Sequence, residues 1–111
     1  GTILRTNNSG GITLFETPVV VEYPTEYQLS QNYPNPFNPS TKISFSLPLS
    51  THVSLIVYNT LGQEVSTIVE GMKSAGNYTI QWNAEDLPSG IYFCLLKAEG
   101  KRMVQKMLLL K

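Results

Sequence analysis

The 111-residue chain holds one cysteine, Cys94, and one histidine, His52. A lone thiol forms no intrachain disulfide and supports no cysteine-based metal site, and a lone imidazole forms no histidine cluster. Charge is scarce as well. Asp, Glu, Lys and Arg make up 14% of residues and sum to a net charge of zero, about half the usual share. That balance leaves no electrostatic footprint for nucleic acid or an anionic membrane. No apolar run approaches the roughly 20 residues that a spanning helix needs. No leader peptide is visible, and the chain, opening on Gly1, is expected to be an excised piece of a longer protein. No stretch keeps a helical spacing. What remains is 41% apolar residues, enough for the core of one domain plus at most a fragment of another. Polarity comes mainly from Ser, Thr, Asn and Gln, which suits an all-β surface.

The most constrained stretch is Gln31–Thr41, Gln-Asn-Tyr-Pro-Asn-Pro-Phe-Asn-Pro-Ser-Thr. Pro34, Pro36 and Pro39 each fix their own φ and lack an N–H. Each also pushes the preceding residue toward extended backbone. The segment is therefore expected to be neither helix nor central strand. It reads as a stiff, extended connector, with Tyr33 and Phe37 large enough to anchor it to a core.

Six strand-like stretches follow. Lys42–Leu47 alternates, with Ile43, Phe45 and Leu47 on one face. His52–Tyr58 sets Val53, Leu55 and Val57 against Ser54, Ile56 and Tyr58, and reads as central. Asn59–Gly62 is a turn. Glu64–Val69 alternates poorly, which predicts a bulge or an early end, and Glu70–Gly76 reads as loop. Asn77–Trp82 sets Tyr78, Ile80 and Trp82 on one face. Asn83–Gly90 is a polar loop. Ile91–Ala98 is apolar on both faces and so interior. Glu99-Gly100 is a two-residue turn, and Met103–Leu110 is the last strand. Short strands at these intervals predict an Ig-like antiparallel β-sandwich of about seven strands, with a barrel as the alternative. The proline segment or Val19–Tyr23 is expected to supply the seventh.

The first 23 residues differ from the rest. Thr2–Thr6 and Ile12–Phe15 around Asn7–Gly11 read as a hairpin. Together these residues resemble the end of a β-propeller repeat, with Ser9 and Leu14 departing from that pattern. Val19–Tyr23 is β-prone and Pro24–Gln28 reads as a linker. The boundary is expected between Tyr23 and Leu29. Residues 1–28 would then be a linker or passenger remnant, and residues 29–111 the main domain.

Catalysis needs a constellation, and none is visible. His52 opens a strand with no acid partner in the linear sequence beside a nucleophile, so a solvated strand end is expected. Cys94 lies in the most apolar strand and reads as core. Glu85 and Asp86 are adjacent loop carboxylates, with neither glycosidase nor calcium-loop context. The glycines are turn glycines rather than a phosphate cradle. No enzyme activity, cofactor or metal is expected. The tyrosines and Trp82 raise a carbohydrate-binding face as an alternative, although Tyr78, Ile80 and Trp82 on one strand face read as core. Lys101, Arg102, Lys106 and Lys111 flank the apolar last strand. They either protect its edge or mark a strand, or a terminal carboxylate, that a partner reads.

Taken in order, Tyr33–Thr41, Val57–Val65, Gly76, Trp82-Asn83, Leu87–Tyr92 and Lys106–Lys111 resemble the C-terminal sorting domain of the type IX (Por) secretion system of the Bacteroidetes. The resemblance runs from Leu29 onward. The Ig-like domain of the flagellar hook-capping protein shares the pattern. The resemblance implies a secretion signal that directs a parent protein across the outer membrane and is then usually cut off near Tyr23–Leu29. The implied partners are outer-membrane translocon, shuttle and sortase proteins. The implied location is the periplasm in transit, then the medium or the cell surface. Asn35, Pro36, Phe37, Asn38, Pro39, Gly62, Gly90, Lys106 and Lys111 are the candidate recognition surface. The rival reading is an uncleaved structural or adhesive Ig-like module.

Overall fold

The computed structural model describes residues 24–111 and, as backbone pairing alone, residues 2–3 and 20–21. Strands β1 (Thr2–Ile3) and β2 (Val20–Val21) pair antiparallel in a sheet of their own. Val20–Val21 is therefore no edge strand of the main domain, and it is β2 that pairs with Thr2–Ile3. The expected turn at Asn7–Gly11 and the returning strand Ile12–Phe15 lie outside the described residues.

The main body is all-β. It comprises β3 (Gln28–Leu29), β4 (Ser40–Leu47), β5 (Thr51–Tyr58), β6 (Glu64–Lys73), β7 (Gly76–Asn83), β8 (Gly90–Ala98) and β9 (Lys101–Leu109). One antiparallel sheet runs β3-β4-β7 and the other β6-β5-β8-β9, the two layers of a sandwich. The seventh strand is thus Gln28–Leu29, which the sequence places at the end of a linker. Two residues carry too little pattern to read alone. They become a strand because Leu29 finds Phe45, and Gln28 finds Ser46, on a strand already formed.

Alternation in β4 works as expected. Ile43, Phe45 and Leu47 are buried between the sheets, and burying each contributes about 1.5–3 kcal/mol. The strand begins two residues early, so Ser40 and Thr41 of the proline segment do join a central strand. β5 is central, paired to β6 and β8, and it buries Val53, Leu55 and Val57 completely. The poor alternation of Glu64–Val69 has the expected cause: register shifts fall opposite Leu55/Ile56 and Val57/Tyr58. The strand does not end early, however. Glu70–Lys73, read as loop, continue opposite Ser54–Thr51. Glycine and lysine weaken a strand signal, but an existing partner edge overrides weak propensity.

Glu99 and Gly100 both have positive φ, 49° and 77°, as a two-residue hairpin requires. The register places the turns at two ends. The β4–β5, β6–β7 and β8–β9 connections share one end. The β5–β6 turn, the start of β8 and the finish of β9 share the other, where Gly90 lies opposite Leu109.

Candidate recognition surface

The proline segment is a bent strap across the sandwich edge rather than an extended connector. It bends at residues 34–36 and 38–39, with the Tyr33–Pro34, Asn35–Pro36 and Asn38–Pro39 peptides in the cis form. Its beginning belongs to the three-stranded sheet: Tyr33 N–H donates to Lys42 O (3.0 Å) and Lys42 N–H to Tyr33 O (2.9 Å). Its middle belongs to the other sheet. Phe37 forms a parallel bridge with Leu109, its N–H donating to Leu108 O and its carbonyl accepting from Leu110 N–H, both at 3.0 Å. Leu108 N–H donates to Asn35 Oδ1 (2.9 Å) and Gln31 Nε2 to Lys106 O (2.9 Å). Nearby, Gln105 Nε2 donates to Leu29 O (3.0 Å). Its end reaches the loop after β7, where Ala84 N–H donates to Pro39 O (2.9 Å).

The strap therefore occupies the outer edge of β9 from Lys106 to Leu110, which would otherwise present unpaired N–H and C=O groups. A partner adding a strand there would first have to displace the strap. Only one of the two expected anchors holds. Phe37 is 2% exposed and packs on Trp82 with ring centroids 5.9 Å apart, whereas Tyr33 is 79% exposed. The strap chooses one ring because Tyr33 keeps its backbone on β4 while Phe37 passes over the gap between the sheets.

Of the candidate surface residues, Asn35, Pro36 and Asn38 are exposed and Pro39 is half-buried, while Phe37 lies inside and supports the strap from below. Lys106 and Lys111 are exposed at the neighbouring end of β9. Lys111 N–H donates to Ser89 Oγ (2.9 Å), and its ammonium donates to Glu85 O. This joins the chain end to the loop before Gly90. Gly62, with φ at 80°, occupies the β5–β6 turn at the same end. There Asn59 Oδ1 accepts from both Leu61 N–H and Gln63 N–H at 2.9 Å. The topology thus brings strap, chain end and both glycine turns to one end of the sandwich. Asn32 was missed by sequence reasoning. It is 2% exposed and ties the first bend of the strap together.

His52 does have an acid partner: its Nε2 lies 3.2 Å from Glu70 Oε2. β6 supplies that carboxylate through cross-strand pairing, which linear spacing does not reveal. The pair is exposed, and the neighbouring Ser54 hydroxyl donates to Glu70 Oε1 (3.0 Å) rather than to the imidazole. Among the described residues no three His, Cys, Asp or Glu side chains converge. No helix there is long and apolar enough to cross a membrane. Trp82 is buried and Tyr78 stacks on Phe45 at 5.1 Å, so this strand face serves the core and offers no open aromatic platform.

Cys94 is core, 1% exposed, and burial pushes its thiol up from 9.0 to about 12. A raised acid pKa means that the unfolded chain ionises first. Stability from this group is complete below pH 9 and falls as pH climbs from 9 toward 12. Between pH 8 and 10.5 the parent chain should lose about 2 kcal/mol relative to Cys94→Val. Urea unfolding of both proteins at the two pH values reads this directly. Equal pH dependence would show that the thiol is solvated.

The sequence model of the family described as the secretion system C-terminal sorting domain matches residues 31–110. No curated protein matches the chain. Among solved structures, the chain is similar to dimeric latent PorU from Porphyromonas gingivalis, with a TM-score of 0.55 at 16% identity. That alignment covers 82% of this chain and 10% of that one, so the likeness extends to the fold alone and to about a tenth of the other protein. The family match spans well over half of the sequence and takes in the strap, both sheets and the last strand. The chain therefore belongs to the family of type IX secretion system C-terminal sorting domains.

Proposed function

We propose that the secretion apparatus reads this domain at the end of the sandwich where strap and last strand are joined. Family membership gives the role, a C-terminal sorting signal for export across the outer membrane to the cell surface or the medium. The finer steps belong to the proposal. A translocon and its shuttle proteins recognise the folded domain in the periplasm, and a sortase cuts ahead of it. The observation carrying this reading is the set of four hydrogen bonds from residues 31–37 to residues 106–110. They make two distant stretches into one rigid surface. An apparatus that accepts many passengers needs a feature of that kind, preorganised and independent of the passenger. The cut belongs ahead of Gln28, because β3 starts there and Thr25 and Glu26 are exposed. The residues ahead of the cut would then stay with the passenger, and the label would keep β3 and everything after it.

Deleting Lys106–Lys111 is a poor test, since it removes Met107 and Leu109, both fully buried. Asn38→Arg with Lys111→Glu alters only exposed side chains. In cells bearing the secretion system, this double variant should accumulate its passenger in the periplasm, with secreted protein down about tenfold. The isolated domain should keep its thermal midpoint. Normal export by a folded double variant would remove this surface from consideration.

A further inference from the structure

The outer face of the four-stranded sheet carries a charge pattern that the proposed recognition surface shares only at Lys106. Cross-strand register groups its side chains into rows. One row is Glu70, Ser54, Lys97 and Arg102. The next is Thr67, Ile56, Leu95 and Val104, and the third is Glu64, Tyr58, Phe93 and Lys106. Side-chain hydrogen bonds from Ser54 to Glu70 (3.0 Å) and from Thr67 to Glu64 (2.6 Å) hold both carboxylates on this face. The acids thus stand on β6 and the bases on β9, with Lys97 of β8 beside them in the first row, and apolar and aromatic groups lie between in the second and third rows. Val104 is 55% exposed at the border of that stripe.

We infer that this face pairs with the same face of a second copy, about a two-fold axis parallel to the strands. That axis exchanges β6 with β9 and β5 with β8 at unchanged height. Glu70 then meets the second copy's Arg102, and Glu64 its Lys106, each pair occurring twice. Ile56 meets Leu95 and Tyr58 meets Phe93, while Lys97 meets Ser54, so an apolar patch two rows deep lies inside a polar and charged rim. The opposite placement, acid on acid, would be repulsive; the two bulges of β6 bring Glu64 level with Tyr58 and so with Lys106. Four strands by about eight residues give roughly 500 Å² per copy. That is about 1,000 Å² in total, the low end for a specific interface. The dimer is therefore weak, forming at concentrations on the order of 100 µM. It covers Lys106 but leaves Asn38 and Lys111 open, so it overlaps the recognition surface at that one side chain.

Sedimentation equilibrium of the 111-residue chain at about 0.15 M salt tests it. The parent should dimerise, while E64K/E70K and R102E/K106E should each be monomeric, with dissociation constants at least about tenfold higher. An equimolar mixture of the two variants should restore a dimer. So should the quadruple variant, whose net charge returns to the parent's zero and which excludes simple attraction between oppositely charged proteins. A parent that stays monomeric to about 1 mM overturns the inference, as does dimerisation unaffected by either double variant. So does a folded quadruple variant that remains monomeric, which would assign the face to a different partner.

Discussion

Phe37→Ala is expected to destabilise the domain by about 3–5 kcal/mol. Against a typical total of about 5–15 kcal/mol, that is enough to leave part of the population unfolded at 37 °C. Phe37 is 2% exposed, and its ring fills the space beside Trp82 where the strap crosses between sheets. Truncation removes the transfer free energy of a benzyl group and opens a cavity that the strap cannot close. The backbone on either side is held by Leu108 and Leu110. The loss should appear as a fall in the urea midpoint of about 2 M, taking a denaturant slope of roughly 1.5–2 kcal/mol/M. Phe37→Leu, which keeps most of the volume, should recover more than half. A loss under about 1 kcal/mol would mean that the ring does not seat the strap. The surface assembled from strap and last strand would then have no foundation. In the secretion assay Phe37→Ala should fail along with its stability, whereas Asn38→Arg with Lys111→Glu should fail with stability intact. The contrast separates support of the recognition surface from contact with it.

The parts of the fold legible in sequence are those whose signal is local. Ile43, Phe45 and Leu47 alternate within six residues and announce a half-buried strand. Val53–Val57 and Tyr92–Leu96 are apolar on both faces and announce interior strands, which β5 and β8 are. Glu99-Gly100 announces its turn by spacing. The misread parts are settled by partners far along the chain. Gln28–Leu29 is a strand because β4 offers an edge, and Glu70–Lys73 because β5 does. Glu70 becomes the partner of His52 by the same pairing. The proline segment shows both sides of this. Its prolines make a rigid piece legible, but three prolines cannot say which aromatic turns inward. That depends on the gap between two sheets which are not adjacent in sequence. The resemblance read from Tyr33 onward identified the family because its motifs are these same local features, the strap, the turns and the last strand.

Removing the buried polar knot beneath the strap should have the second large effect, and its signature is non-additivity. Asn32 Nδ2 donates to Pro34 O (3.1 Å) and to Thr41 Oγ1 (3.0 Å), and its Oδ1 accepts from Gln31 Nε2 (2.6 Å). Thr41 Oγ1 donates in turn to Pro34 O (2.9 Å). Asn32 and Thr41 are 2% and 1% exposed, so no water replaces a lost partner. Thr41→Val keeps the shape but leaves one Asn32 N–H unpaired in the interior, which costs about 1–3 kcal/mol. Asn32→Ala removes three hydrogen bonds and leaves a small void, at about 2–4 kcal/mol. The double variant should cost less than the sum by about 1 kcal/mol or more, because once Asn32 is gone the missing hydroxyl orphans no interior N–H and leaves only Pro34 O, on an exposed residue, without its donor. Additivity within about 0.3 kcal/mol would show that the two side chains act independently. Hydrogen exchange locates the consequence. In Thr41→Val the amides of Phe37 and Leu110, which close the seam, should exchange faster than those of β5, since a loosened first bend frees the strap locally before the sandwich opens as a whole.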